Sequence, residues 1–140
     1  MSGSFIPYDS DDEGMNKELW SKYEAEVISS RGYDVGEYNC ISCGMIIPID
    51  VNYIEELPSY AVMAVDDYNR QNHTNFKFVE LLKGNARVVS GVVYYITFKV
   101  EDANTGTAET FQTRVWQKIR GRNGEDRFEI QECRIKPTTT

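Results

Sequence analysis

The chain has 140 residues and a formal net charge of -7, and 41% of its residues are hydrophobic while 26% are charged. This length fits one domain with a single core, and the composition is ordinary for a globular protein. No apolar run approaches the roughly 20 residues that a membrane helix requires. Because nucleic-acid surfaces need clustered cations, the net negative charge disfavours that class of partner as well. The sequence therefore predicts neither membrane insertion nor nucleic-acid binding.

Residues 1–14 are polar and acidic, and their carboxylates are Asp9, Asp11, Asp12 and Glu13. Such a composition cannot bury enough apolar surface to fold, so it predicts a disordered acidic tail. The segment lacks the basic start and the apolar stretch of a secretory signal. We therefore expect an intracellular protein, cytoplasmic or nuclear.

A helical pattern begins at Met15 and is expected within an N-terminal helix and connector spanning residues 15–44. Its apolar stripe consists of Met15, Leu19, Tyr23 and Val27, widened by Trp20 and Ile28. An apolar residue at every fourth position predicts an amphipathic helix, and Gly32 is typical of a C-terminal stop. Packing on the domain is the expected role of the stripe, and recognition of a partner is the alternative.

Three cysteines and one histidine raise the question of a metal site. Cys40, Cys43, Cys133 and His73 would together make the four ligands that zinc usually takes. A single close pair of cysteines is a weak signal, and nothing in the sequence brings the histidine near it. An odd number of cysteines in a chain without a signal favours reduced thiols. We therefore expect no metal and no cofactor.

A second helix is predicted from Pro58, because proline is favoured in the first turn of a helix. It should end between Asn69 and Asn72, where asparagine side chains compete for backbone hydrogen bonds. Its expected apolar face consists of Leu57, Ala61, Ala64, Val65 and Tyr68. The connector before it, residues 33–53, is expected to contain one short strand.

Most of the remaining chain alternates between apolar and polar residues, which is typical of strands. The predicted strands are residues 76–83, 88–100, 110–119 and 128–135, separated by turn-forming segments at 102–106 and 121–124. Short connections favour antiparallel hairpins, so we expect a four-stranded meander with the Pro58 helix covering its apolar face. In the last strand the apolar positions shift by an odd number of residues, which predicts a β-bulge.

The segment from Arg87 to Gly91 reads Arg-Val-Val-Ser-Gly and precedes the longest alternating run. Serine and glycine favour a tight turn there, because glycine accepts backbone angles that other residues avoid. The two valines are then expected at an exposed hairpin tip, and an exposed apolar tip indicates a contact surface.

Several short matches in the right order now identify a family resemblance. The segment Tyr60–Asn69 is similar to the plant cystatin helix signature, and Phe76–Glu80 is similar to the strand that follows it. Residues 87–91 lie where plant cystatins carry Gln-Val-Val-Ala-Gly, and the segment Val115–Lys118 continues the match. Residues 45–135 thus resemble the cystatins, which inhibit papain-like cysteine proteases. The long front end and the run from Cys133 to Pro137 look more like the divergent plant cystatin-related proteins.

The resemblance implies an α+β fold, with a cystatin-like antiparallel sheet of four to five strands wrapped on one helix across residues 45–137. The helix predicted from Met15 would be an addition to it. It also implies a wedge that fills a protease cleft. The residues that would form this wedge are Gly44, the first tip Arg87, Val88, Val89, Ser90 and Gly91, and the second tip Ile119 and Arg120. The second tip has Ile-Arg where plant inhibitors have Pro-Trp.

Catalysis is not expected from this chain. A cysteine nucleophile needs a nearby base, and the only histidine, His73, lies in a polar turn. The adjacent carboxylates Asp66 and Asp67 would point about 100° apart on a helix and could not share a proton. The resemblance implies instead a protein that binds papain-like cysteine proteases and inhibits them by occluding the cleft with its hairpin loops. The alternative is a non-inhibitory protein-interaction module on a cystatin scaffold.

Overall fold

The computed structural model describes residues 15–38, 44–119 and 127–138, so the predicted acidic tail and the turn at 121–124 lie outside the described residues. Its elements are α1 (Lys17–Ser30), β1 (Ile46–Ile49), a 3-10 turn (Val51–Tyr53), α2 (Leu57–Asn72), β2 (Phe76–Val89), β3 (Gly91–Asp102), β4 (Ala108–Gln117) and β5 (Phe128–Ile135). The strands form one antiparallel sheet in chain order. This arrangement confirms the predicted fold class. None of the described helices is long and apolar enough to cross a membrane.

Helix α2 packs on one face of the sheet and forms the main core. Pro58 lies in its first turn, and His73 ends it in a left-handed conformation, with φ at 55°. From the helix, the core receives Leu57, Tyr60, Ala61 and Val65, and from β3 and β4 it receives Tyr94, Ile96, Phe98, Val100, Phe111 and Val115. Alternate residues of a strand point to one face, so the predicted alternation on these two strands is confirmed.

Helix α1 covers the opposite face of the sheet, which makes a three-layer arrangement. A second buried cluster contains Met15, Tyr23, Tyr33, Val35, Met45, Ile46, Val93 and Tyr95. The predicted packing of the α1 stripe on the domain is confirmed at Met15 and Tyr23. The widening of that stripe to Ile28 is wrong, because this side chain is 78% exposed.

Polar contacts hold the segment that follows α1, residues 31–33, against the sheet. Asn85 is fully buried in β2, and its side-chain Nδ2 donates hydrogen bonds to the carbonyl oxygens of Gly32 (3.1 Å) and Tyr33 (2.8 Å). The Tyr33 hydroxyl donates to Glu132 Oε2 at 2.8 Å, and Arg31 pairs with the same carboxylate. Burial and the Glu132 carboxylate raise the pKa of Tyr33. Buried polar groups with partners fix one arrangement of the layers.

Strand β2 runs without interruption to Val89, so the prediction that it ends at Lys83 is wrong. Gly84 and Asn85 belong to residue types that are uncommon in strands, yet both lie inside β2. A Cβ at Gly84 would lie 2.8 Å from Val51 Cγ1, so glycine here makes room for the 3-10 turn. Two register shifts keep the strand paired with β3 along its length.

The predicted bulge in the last strand is confirmed and can be placed. Arg114 pairs with Glu132, whereas Val115 pairs with Ile130, so Gln131 is the extra residue of β5. The predicted strand over residues 110–119 is too long at its end, since β4 stops at Gln117. Ile119 therefore does not share the buried face of this strand and is 61% exposed beyond it.

Candidate functional site

The first tip, residues 87–91, is the hairpin between β2 and β3. Val88 pairs with Val92 and Val89 pairs with Gly91, which leaves Ser90 alone at the turn. The side chains of Val88 and Val89 are 63% and 41% exposed. These two valines are therefore an apolar surface available to a partner.

Gly91 holds this tip close to the next hairpin. Its φ is +99°, and a Cβ at this position would lie only 2.2 Å from the carbonyl oxygen of Gln117. Any other residue would meet both the backbone strain and this steric overlap. The glycine of the Arg-Val-Val-Ser-Gly segment is thus required by the approach of two backbones.

The second tip follows β4. The backbone amide of Lys118 donates to the carbonyl oxygen of Arg127 at 2.8 Å. This hydrogen bond joins the chain just after β4 to the chain just before β5. Ile119 is exposed directly beyond this bond. Arg120, the other residue predicted for this tip, lies outside the described residues.

The third predicted contact, Gly44, lies just before β1. Ile46, two residues after Gly44, pairs with Arg87 of the first tip, so Gly44 lies at the same end of the sheet as that tip. Its φ is +91°, and no atom lies within 4 Å of a Cβ built there. Glycine at this position serves the backbone conformation alone. The structure thus brings Gly44, the first tip and Ile119 to one end of the sheet.

Trp116 supports this end of the sheet from the face that α1 covers. It pairs with Val93 and packs against the second buried cluster. Its indole Nε1 donates to the carbonyl oxygen of Ser90 at 2.9 Å, and Lys118 Nζ lies 5.1 Å from its ring centroid. Trp116 therefore lies against the sheet. Its bond to the first tip was missed, since no local pattern reports a contact between hairpins.

Metal and thiol chemistry find little support in the described residues. Within them, no group of three or more His, Cys, Asp and Glu side chains is arranged to hold a metal ion. Cys40 and Cys43 lie outside these residues. Cys133 packs against the main core, where burial, with the Asp67 and Glu132 carboxylates nearby, raises the pKa of its thiol to about 12.

We expect Cys133 to resist alkylation in the folded protein. Only the thiolate is a good nucleophile, and a pKa of about 12 keeps this thiol protonated at pH 8. Iodoacetamide labelling at pH 8, read by peptide mass spectrometry, should modify Cys133 slowly in the native chain and rapidly after unfolding in urea. Equal labelling rates in the two states would contradict the buried placement.

Comparisons with known proteins agree with the fold. Residues 48–125, more than half of the chain, match a family described as "Aspartic acid proteinase inhibitor". The chain is 27% identical over 124 residues to a multicystatin of Solanum tuberosum, an alignment that covers 81% of this chain and 16% of that protein. It is 29% identical over 72 residues to Cystatin-1 of Zea mays, which covers 51% of each.

A third relative comes from outside the plants. Cystatin-1 of Crotalus adamanteus is 33% identical over 96 residues, which cover 67% of this chain and 60% of that protein. The chain thus spans about half of the maize relative and a sixth of the potato relative. The matched family consists of protease inhibitors and not of enzymes, as expected from the lack of a catalytic arrangement in the sequence. By its matched residues and its fold, the chain belongs to the aspartic acid proteinase inhibitor family, within the cystatin superfamily.

Proposed function

We propose that this chain inhibits papain-like cysteine proteases by inserting the first tip into the active-site cleft. The observation that carries the proposal is the convergence of exposed Val88 and Val89, Gly44 and exposed Ile119 at one end of the sheet. The plant relatives named as cystatins support the same target class.

The tip has the physical properties that cleft binding requires. Its backbone is fixed by paired strands and by the close approach of Gly91 to Gln117, so little conformational entropy is lost on binding. Burial of a fully exposed valine side chain is worth about 1.5–3 kcal/mol, and Val88 and Val89, at 63% and 41% exposed, can gain the corresponding part of it. Two adjacent valines can therefore act as the principal anchors, since interface energy is concentrated in a few residues.

The second tip contributes less than its counterpart in plant inhibitors. Ile119 and Arg120 stand where those proteins carry Pro-Trp, and Trp116 is held against the sheet instead of facing a cleft. Tryptophan is the residue type most enriched among interface anchors. We therefore expect inhibition to be weaker than that of simple plant cystatins.

Titration of papain with the 140-residue chain tests the proposal. We expect a saturable loss of hydrolysis of a fluorogenic peptide, with an inhibition constant below roughly tens of micromolar. A protein preparation that is folded by circular dichroism but leaves papain fully active at that concentration would refute the proposal.

Inhibition of an aspartic proteinase is a second candidate, and the description of the matched family favours it. Pepsin, assayed at acid pH with the fold of the chain verified at the same pH, should be included beside papain. Inhibition of pepsin alone would assign the same end of the sheet to aspartic proteinases. If papain and pepsin both remain fully active at a saturating concentration of the chain, the non-inhibitory interaction module is favoured.

A further inference from the structure

The side chain of Trp116, in β4, joins the first tip to the second hairpin, which β4 and β5 form, by a hydrogen bond. Ser90 lies between the last paired residues of β2 and β3, Val89 and Gly91. Its carbonyl oxygen therefore lies at the apex of the turn, beyond the ladder. The indole N–H of Trp116, at 2.9 Å, is the donor that reaches it.

The orientation of the indole is itself fixed by its surroundings. Val93 of β3 and Glu129 of β5 are its cross-strand neighbours. Lys118 Nζ lies 5.1 Å from the ring centroid and 3.5 Å from the Glu129 carboxylate, so the cation is held over the ring. On the remaining side, the ring packs against the buried cluster to which α1 contributes Tyr23.

These contacts make a continuous connection from the α1 layer to the first tip. Movement of Ser90 away from β4 would break a hydrogen bond at the apex, and movement toward β4 is blocked, since Gly91 already approaches the backbone of Gln117 closely. A turn restrained in both directions presents Val88 and Val89 in one arrangement. Preorganisation of this kind increases affinity mainly by reducing the entropy lost on binding.

We propose that Trp116 is a positioning residue that fixes the first tip through the carbonyl oxygen of Ser90. Its consequence for protease affinity rests on the function proposed above, whereas the ordering of the tip is a property of the free chain. The two parts can therefore be tested separately.

The first test uses Trp116→Phe in the 140-residue chain, because phenylalanine keeps an aromatic ring against the sheet and removes the N–H donor. Backbone ¹⁵N relaxation should give order parameters near 0.85 at residues 88–91 of the unmodified chain, falling to below about 0.6 in the variant. Trp20→Phe is the matched control. Trp20 lies on α1 and is 36% exposed, and the substitution is the same, tryptophan to phenylalanine. The first tip of the Trp20→Phe variant should therefore stay ordered.

Order parameters at residues 88–91 that are unchanged by Trp116→Phe would overturn the proposal, as would an equal loss in the Trp20→Phe control. With a protease that the unmodified chain inhibits, Trp116→Phe should raise the inhibition constant about tenfold, chiefly through faster dissociation. A loosened tip in a chain that inhibits no protease would support the positioning role and refute the proposed function. Undiminished inhibition together with unchanged order parameters at residues 88–91 would support the proposed function and refute the positioning role.

Discussion

Replacement of Val89 by aspartate is expected to weaken protease inhibition by about 30-fold or more. An anchor residue of an interface contributes at least about 2 kcal/mol, and a carboxylate in an apolar cleft adds the cost of burying an unpaired charge. Val89 is 41% exposed in the free chain, so the substitution should leave the fold intact. The inhibition constant for papain, or for pepsin if that is the enzyme inhibited, measures the effect.

Val79→Asp is a matched control for this experiment. Val79 lies in the same strand, β2, is 45% exposed, and is near the end of the sheet opposite to the first tip. It should change the inhibition constant by less than about twofold, since it adds the same charge outside the interface. Equal losses for both variants would show that the added charge acts through stability and not through contact.

Phe111→Ala is expected to lower the free energy of unfolding by about 3–5 kcal/mol, the usual cost of truncating a buried aromatic residue. Phe111 is fully buried in β4 and lies at the centre of an aromatic group. Its ring centroid is 4.8 Å from that of Tyr68, 5.0 Å from Phe76 and 5.9 Å from Phe98. The variant would leave a cavity and remove these ring contacts. Urea unfolding followed by circular dichroism measures the loss.

Phe128→Ala provides the control of the same residue type. Phe128 begins β5 and is 37% exposed, and its ring centroid lies 5.1 Å from that of Tyr60. Its truncation should cost less than half as much as that of Phe111, because fewer contacts are lost and water can fill the space. A cost equal to that of Phe111→Ala would contradict the placement of the core between α2 and β4.

The outer layer changes what a cystatin-like sheet can offer to a partner. Tyr23, Tyr33 and Val35 lie over the face of the sheet that α2 does not cover, and the Asn85 amide fastens the segment after α1. With both faces occupied there, the end of the sheet that carries Val88 and Val89 remains as an exposed apolar surface. This arrangement supports a contact through the tips rather than through a sheet face.

Local patterns predicted the second helix and the strand faces well. The helix predicted from Pro58 begins one residue earlier, at Leu57, and the alternation in β3 predicted the face that α2 covers, because both depend on neighbours within a few positions. The alternation did not predict that Val93 and Tyr95, on the other face, are buried as well. The residues of the first tip were also chosen from composition, since Ser90 and Gly91 form a turn for local reasons. The domain boundaries and the protease contacts remain predictions.

Other features depended on contacts between distant parts of the chain. The predicted strand ended at Lys83, yet β2 continues through Gly84, which lets Val51 approach, and Asn85, which bonds to the segment after α1. Ile28 has the same apolarity as its neighbours but lies outside the narrow stripe that meets the sheet. Such outcomes depend on which surfaces meet, and a periodic pattern does not encode that.

By itself, the sequence determined the elements of this protein, the inward faces of its strands and the turn that exposes Val88 and Val89, because these follow from side-chain periodicity and local backbone preference. The tertiary structure decided which segments converge with that turn. The pairing of Ile46 with Arg87 brings Gly44 to the same end of the sheet, and the near contact of Gly91 with Gln117 brings the second hairpin alongside. The indole of Trp116 then joins the two hairpins across 26 residues of chain. Contacts over that separation are set by the packing of the whole sheet between two helices.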